Sequence, residues 1–429
     1  MALKGKRLLV IGGSMATCYI VQNAQEMGIH VIVADMSDSG SAYKLADEGV
    51  MISTTDLEGL AEYVKNNNID GIFCGPSEFN ILNTMKLCEM TGLPFYATKE
   101  TWDRCSNKQI MKEYCERNGL PRIPEYELST PEQIEQCSDD VFPVIVKPVD
   151  GCSSKGICVC YDKSELKQAV ADALQYSAAG KVIVEKFIEN GGKQFSVRYM
   201  LLDGKAYPYF LFDMYIADQK SKQGNISAFS VCPSVRTEEF LKNENAKFQA
   251  LFDNMGLKNG LVFLQSLPSG DDLYVHDMGY RLGGGMTYAR SMEMYGINDM
   301  KMMIALALGE QYYSHEELEK VDLLNPAYRS CALMVPLNAG TIAEVHGLDE
   351  IKQDPAVIRV IENYHVGDTV APSAVGTLNG HFCRIGMKVT DKAHMIEVVN
   401  RIQNKLSVKD TDGNEMYTLR FDTNRLLEK

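Results

Sequence analysis

Basic residues are in short supply in this chain. Its 43 Lys and Arg stand against 57 Asp and Glu, a net charge of −14. That argues against nucleic acid or an anionic membrane as the main partner, because both require clustered Lys and Arg. Small anionic ligands stay open, since a local basic pocket is enough for them. Long apolar runs are missing as well: no stretch approaches the ~18 residues of a membrane-spanning helix, so no membrane segment is expected. The apolar run Leu8–Ile11 behind a basic start is too short for a signal peptide and ends in Gly12-Gly13, which reads as a first β-strand. Paired cysteine spacings are also lacking. The 12 cysteines are scattered, and the nearest approach to a motif is Cys158-Val-Cys160 on one face of a strand. Buried reduced thiols and a cytosolic location are the expectation. There are no internal repeats and no low-complexity segments, and 45% apolar content argues against wholesale disorder. A length of 429 residues suggests about three domains.

Residues 1–100 alternate strand and helix signals. Strands are expected at 7–12, 29–35, 69–75 and 93–97, with helices reaching Met27 and covering about 78–91. This is the pattern of a parallel sheet flanked by helices. Gly12-Gly13-Ser14 and Asp35 hint at dinucleotide binding, but the spacing is not G-x-G-x-x-G and that reading is not favoured. A helix is expected over 106–121, with Ser106 or Asn107 as N-cap and Gly119 closing it. Asp162 and Glu165 have capping-box spacing before another helix. Residues 193–212 read as a hairpin turning at Asp203-Gly204, 217–230 as a mobile polar loop, and 260–279 as a second β pair. Past about 310 come helix, short strands and a helix near 393–405.

Chemistry concentrates in three places. Lys147 ends an apolar strand and runs into "PVDGCSSKG". Small residues there let backbone N–H groups close around an anion, Ser153 and Ser154 add hydroxyls, and the lysine supplies a point charge for phosphate. This is not a P-loop, which needs Gly-x4-Gly-Lys-Ser/Thr. Lys108 sits in the first turn of its helix, where a cation opposes the helix dipole. "YVHDMGYRLGGG", residues 274–285, ends a strand with His276, Asp277, Arg281 and Gly283–Gly285.

Taken in order, Lys108, Lys147 with its Gly/Ser loop, "VIVEKFI", "QFSV", "VFLQS" and "HDMGYRLGGG" resemble the ATP-grasp superfamily over about 100–295. The layout is similar to the biotin-carboxylase-like and L-amino-acid-ligase-like branches, and to the carbamoyl phosphate synthetase large subunit. The resemblance implies an α/β and α+β fold. A Rossmann-like domain over 1–100 would precede a two-subdomain ATP-grasp fold over 101–310, its lid at about 125–190. A small α+β domain would occupy 311–429.

It also implies roles. Lys108 and Lys147 would contact the phosphates of ATP, and the Gly151–Gly156 loop, with Ser153 and Ser154, would close over them. Glu185, Phe187 and Ile188 would form the adenine hinge, and Gln194 would hydrogen-bond the ribose where the family has an acid. Arg281 would bind the substrate carboxylate or the moving phosphoryl group, with the amides of Gly283–Gly285 beside it. At the Mg²⁺ site the family's Glu and Glu-x-Asn read Gln265, Asp277 and Gly279 here, so one carboxylate of two survives. Asp277 with the Gln265 carbonyl and ATP oxygens would hold one ion. Strand alternation turns His276 away from Asp277, making it a packing residue or a support behind the ligands rather than a ligand itself. The expected activity is an ATP-dependent carboxylate–amine (or carboxylate–thiol) ligase acting through an acyl phosphate. Carbamoyl-phosphate-type chemistry on bicarbonate and a nucleotide-binding protein with a decayed metal site are the alternatives. The expected partners are a small carboxylate and an amine, and the resemblance leaves a homodimer open.

Overall fold

The computed structural model describes residues 3–149, 156–216, 227–417 and 419–427. Strands Glu48–Met51, His30–Asp35, Arg7–Ile11 and Gly71–Cys74 form a parallel sheet in that spatial order. The last three are almost uninterrupted buried apolar runs, as strands enclosed by crossover helices are. Strand Glu48–Met51 is mostly exposed and has no apolar run to announce it.

The strand expected at 93–97 does not form. Tyr96 turns to the neighbouring unit instead. Its hydroxyl donates to the Tyr280 carbonyl at 2.9 Å, and the rings meet edge-on at 5.1 Å, while the Tyr280 hydroxyl sits closest to the Asn259 carbonyl with the Tyr96 carbonyl at 3.1 Å.

A four-stranded antiparallel sheet follows, in the order Glu125–Tyr126, Val182–Lys186, Val144–Pro148, Cys158–Cys160. Its core of Val144, Val146, Leu166, Val170 and Val184 packs helix Lys163–Leu174 onto the sheet. Asp162 caps that helix by accepting from the Glu165 N–H at 2.9 Å.

The largest sheet has eight strands. Its order is Asp272–Gly279, Gly260–Ser269, Lys193–Leu202, Lys205–Ile216, Ser227–Cys232, Arg329–Pro336, His381–Val389, Val357–Glu362. It takes strands from both sides of residue 310, so the C-terminal strands Arg329–Pro336, His381–Val389 and Val357–Glu362 extend it. The first hairpin turns at Asp203 (φ 51°) and Gly204 (φ 86°), the two positive φ values that a tight two-residue turn demands. Of the stretch 217–230, residues 217–226 lie outside the described residues, and Ser227–Cys232 is a strand rather than loop. Cys74, Cys88, Cys105, Cys115, Cys232 and Cys331 are buried, and desolvation pushes their thiols up to about 12. Among the described residues no helix is long and apolar enough to cross a membrane.

Candidate active site

A cavity of about 1770 Å³ opens where the three units meet, lined by Lys108, Lys147, Gln265, Asp277 and Arg281 together. Helix Lys108–Arg117 supplies the first lysine. Asn107 caps it, its side chain accepting from the N–H groups of Gln109 and Ile110 at 3.0 and 3.2 Å. Lys147 comes from the end of strand Val144–Pro148. Burial lowers the Lys108 pKa, with Asp277 pulling it back up.

Glu185 has a different part from the one expected. Its backbone is paired on both sides, with Ile145 and with Glu125, so it has no edge to offer a base. Its fully buried carboxylate holds Lys147 Nζ at 2.6 Å and Lys112 Nζ on the other oxygen. Burial alone would raise its pKa, but Lys147 and Lys112 outweigh that and hold it at about 2. Lys112 also reaches Glu125 at 2.7 Å. The hinge narrows further because the Phe187 N–H is taken by the Pro143 carbonyl at 3.0 Å. Ile188, buried and lining the cavity, is the hinge residue left with no backbone acceptor for its N–H among the described residues. Gly151, Ser153 and Ser154 lie outside the described residues. Gly156 (φ 70°) sits so close to the strand end that a Cβ there would meet Pro148 Cγ at 2.9 Å.

Gln265 stands directly opposite Asp277 in the second hairpin. Burial raises the Asp277 pKa, opposed chiefly by Lys108 and Arg281. His276 does not turn away. The register shifts there, with Ser266 opposite Val275, so His276 is the extra residue of a β-bulge. It lines the cavity beside Asp277, its Nε2 is buried without a partner, and desolvation together with Lys147 and Lys108 lowers its pKa to about 3. Strict alternation fails at a bulge, which the sequence does not mark.

Arg281 spans the units, with Nη2 3.2 Å from Glu78 Oε1 and its guanidinium 5.0 Å from the centre of the Phe263 ring. Gln194 is buried and also lines the cavity. The Asp35 carboxylate, by contrast, accepts from the N–H groups of Gly13 (2.6 Å) and Ser37 (3.1 Å), so it is spent on its own loop.

Sequence reading missed Lys112 and Arg198. Lys112 lies one helical turn from Lys108, the i, i+4 spacing that puts both on one face. Arg198 alternates with Gln194 and Ser196 along strand Lys193–Leu202, so the three share a face. Those periodicities were the available signals.

The donor set suits a hard cation, since Asp277 offers carboxylate oxygen and Gln265 amide oxygen. Among the described residues no group of three His, Cys, Asp or Glu could hold a metal ion. An ion here therefore needs further oxygens, which nucleotide phosphates would provide.

The family described as D-ala D-ala ligase C-terminus matches residues 94–204. L-amino acid ligase from Bacillus licheniformis superposes with a TM-score of 0.78 at 19% identity, covering 95% of this chain and 99% of that one. The chain shares the fold of that ligase over nearly its whole length. A second structure of the same fold is the biotin carboxylase domain dimer of Hydrogenobacter thermophilus 2-oxoglutarate carboxylase, solved with MgADP, ADP and bicarbonate. It superposes with a TM-score of 0.72 at 18% identity, covering 96% of this chain and 91% of that one. In sequence, a formate-dependent phosphoribosylglycinamide formyltransferase of Sulfurisphaera tokodaii is 28% identical over 207 residues, 47% of this chain and 51% of that protein. The chain thus spans about half the length of that curated relative.

Proposed function

We propose that the chain is an ATP-dependent ligase that phosphorylates a carboxylate and passes the acyl group to an amine. The observation that supports this best is the convergence of Lys108, Lys147, Gln265, Asp277 and Arg281 on one cavity. Lys108 and Lys147 neutralise the phosphates, and Glu185 holds the Lys147 ammonium in place from beneath. The hinge at Ile188 receives the base, and Gln194 hydrogen-bonds the ribose. Bound Mg²⁺, on Asp277 and the Gln265 carbonyl, would add charge neutralisation at the phosphates.

Arg281 orients the substrate carboxylate and offsets charge as one of its oxygens bonds to the γ-phosphorus and the bond to ADP breaks. The amine then bonds to the acyl carbon, phosphate leaves and the amine proton is lost. Positioning and charge neutralisation carry this reaction, and no side chain need act as nucleophile. Because one relative is a dimer, a homodimer is the matching expectation, checked by light scattering.

The test is ADP release from ATP and Mg²⁺ across a matrix of carboxylates and amines, with bicarbonate and ammonia included. Release that needs both an organic acid and an amine supports the ligase. Release on bicarbonate alone selects carbamoyl-phosphate-type chemistry, and ATP binding without release under any pairing overturns both.

A further inference from the structure

Four arginines line the cavity: Arg198, Arg281, Arg290 and Arg384. Three are engaged by protein acceptors. Arg281 meets Glu78 and the Leu282 carbonyl, Arg290 meets Ser230 and Ser330, and Arg384 donates to the Gly284 carbonyl. Arg198 differs. Its Nε and Nη1 are buried without a hydrogen-bond partner among the described residues. The guanidinium lies 4.6 Å from the centre of the Phe263 ring and 5.3 Å from that of Phe212, which cradle it without neutralising it. A buried charged group in this state is costly unless a partner arrives from outside the fold.

Asp299, the carboxylate that acts most strongly on Arg198, does not pair with it. Asp299 is buried, and one of its oxygens accepts from Tyr209 at 2.6 Å while the other has no partner. Desolvation pushes its carboxyl up to about 6, so at neutral pH it is mostly ionised, yet it makes no hydrogen bond or ion pair with Arg198, whose Nε and Nη1 stay unpartnered among the described residues. Arg198 keeps its proton even though burial lowers it to about 10.

Its charged neighbours set Arg198 apart from the lysines proposed above to hold the nucleotide. The charged neighbours acting on Lys108 are Asp277, Lys147, Glu185 and Lys112, whereas those acting on Arg198 are Asp299, Arg281 and Asp277. Asp277 therefore divides a lysine side from an arginine side. Arg198 and Arg281 both stack on Phe263, so their charges are no farther apart than the two ring distances combined. Gly283 packs against the same guanidinium, where a Cβ would stand 3.7 Å from Arg198 Cζ.

We propose that Arg198 is a specificity-determining residue that binds a second carboxylate of the acid substrate, the first being activated beside Arg281. The substrate class is then a dicarboxylic acid or an acidic amino acid. This rests on the ligase reading above. Two guanidiniums at one phenyl ring match two carboxylates on a short carbon chain, and a monocarboxylate leaves Arg198 buried and unpaired.

The test uses the full chain with MgADP present. Binding of glutarate, succinate and L-glutamate is measured by calorimetry against butyrate and L-glutamine, which lack the second charge. Wild type should bind the dicarboxylates at least about tenfold more tightly. Arg198→Met should erase that preference while leaving MgADP affinity unchanged, and Arg198→Lys should restore part of it. Equal binding of mono- and dicarboxylates by wild type, or a preference that survives Arg198→Met, overturns the proposal. ADP release on monocarboxylates alone also overturns it yet leaves the ligase standing. Arg198-dependent dicarboxylate binding without ADP release for any acid–amine pair overturns the ligase instead.

Discussion

Lys147 Nζ lies 2.6 Å from Glu185 Oε2, on a fully buried carboxylate whose other oxygen holds Lys112. One buried anion thus fixes two cations, one of them exposed to the cavity and the other enclosed. Replacing Glu185 with Gln leaves Lys112 buried with only Glu125 to pair it. Breaking such a pair from one side should cost about 3–5 kcal/mol, read as a lower urea midpoint. The carboxyl is held at about 2, below its ordinary 4.5. Its contribution is therefore complete above the unfolded value and lost as pH falls from there through the folded one. Glu185→Gln should flatten the stability profile in that acid window.

Removing Lys147 itself tests phosphate binding. Lys147→Ala should weaken ATP binding or turnover by about 2–4 kcal/mol, with the fold intact by circular dichroism. Unchanged affinity and turnover would remove Lys147 from the site.

The Gln265–Asp277 pair predicts an asymmetric response to Mg²⁺. Asp277→Asn should abolish Mg²⁺-dependent ADP formation, whereas Gln265→Glu adds a second carboxylate opposite the first and should tighten the ion. ADP formation against Mg²⁺ concentration distinguishes the three proteins. Superimposable curves would place the metal elsewhere.

His276 gives a pH prediction of its own. Its imidazole is held neutral, the pKa lowered from 6.5 to about 3 by desolvation and by Lys147 and Lys108. Between those values the unfolded chain binds a proton that the folded chain does not, so folding stability falls as pH drops through that window. His276→Leu should make the decline shallower. Urea unfolding at several pH values between those limits checks this, and an unchanged slope would mean the ring is charged in the folded state.

Much of this protein was legible in local pattern. Asn107 before an amphipathic run set a helix start, and Asp203-Gly204 set a hairpin. The apolar strands ending in Lys147 and carrying Gln265 and Asp277 set the order of the site. These features depend on neighbours in sequence, where propensity and period act directly. Other features depend on what a segment meets across the fold. The strand expected at 93–97 is absent where Tyr96 packs on Tyr280 and bonds its carbonyl, a contact across the fold that the local sequence does not announce. The bulge that turns His276 into the cavity is an offset between two strands, invisible in either alone. The charge state of Glu185 and the unpaired guanidinium of Arg198 follow from burial and from the acceptors within reach, and only the assembled chain decides those.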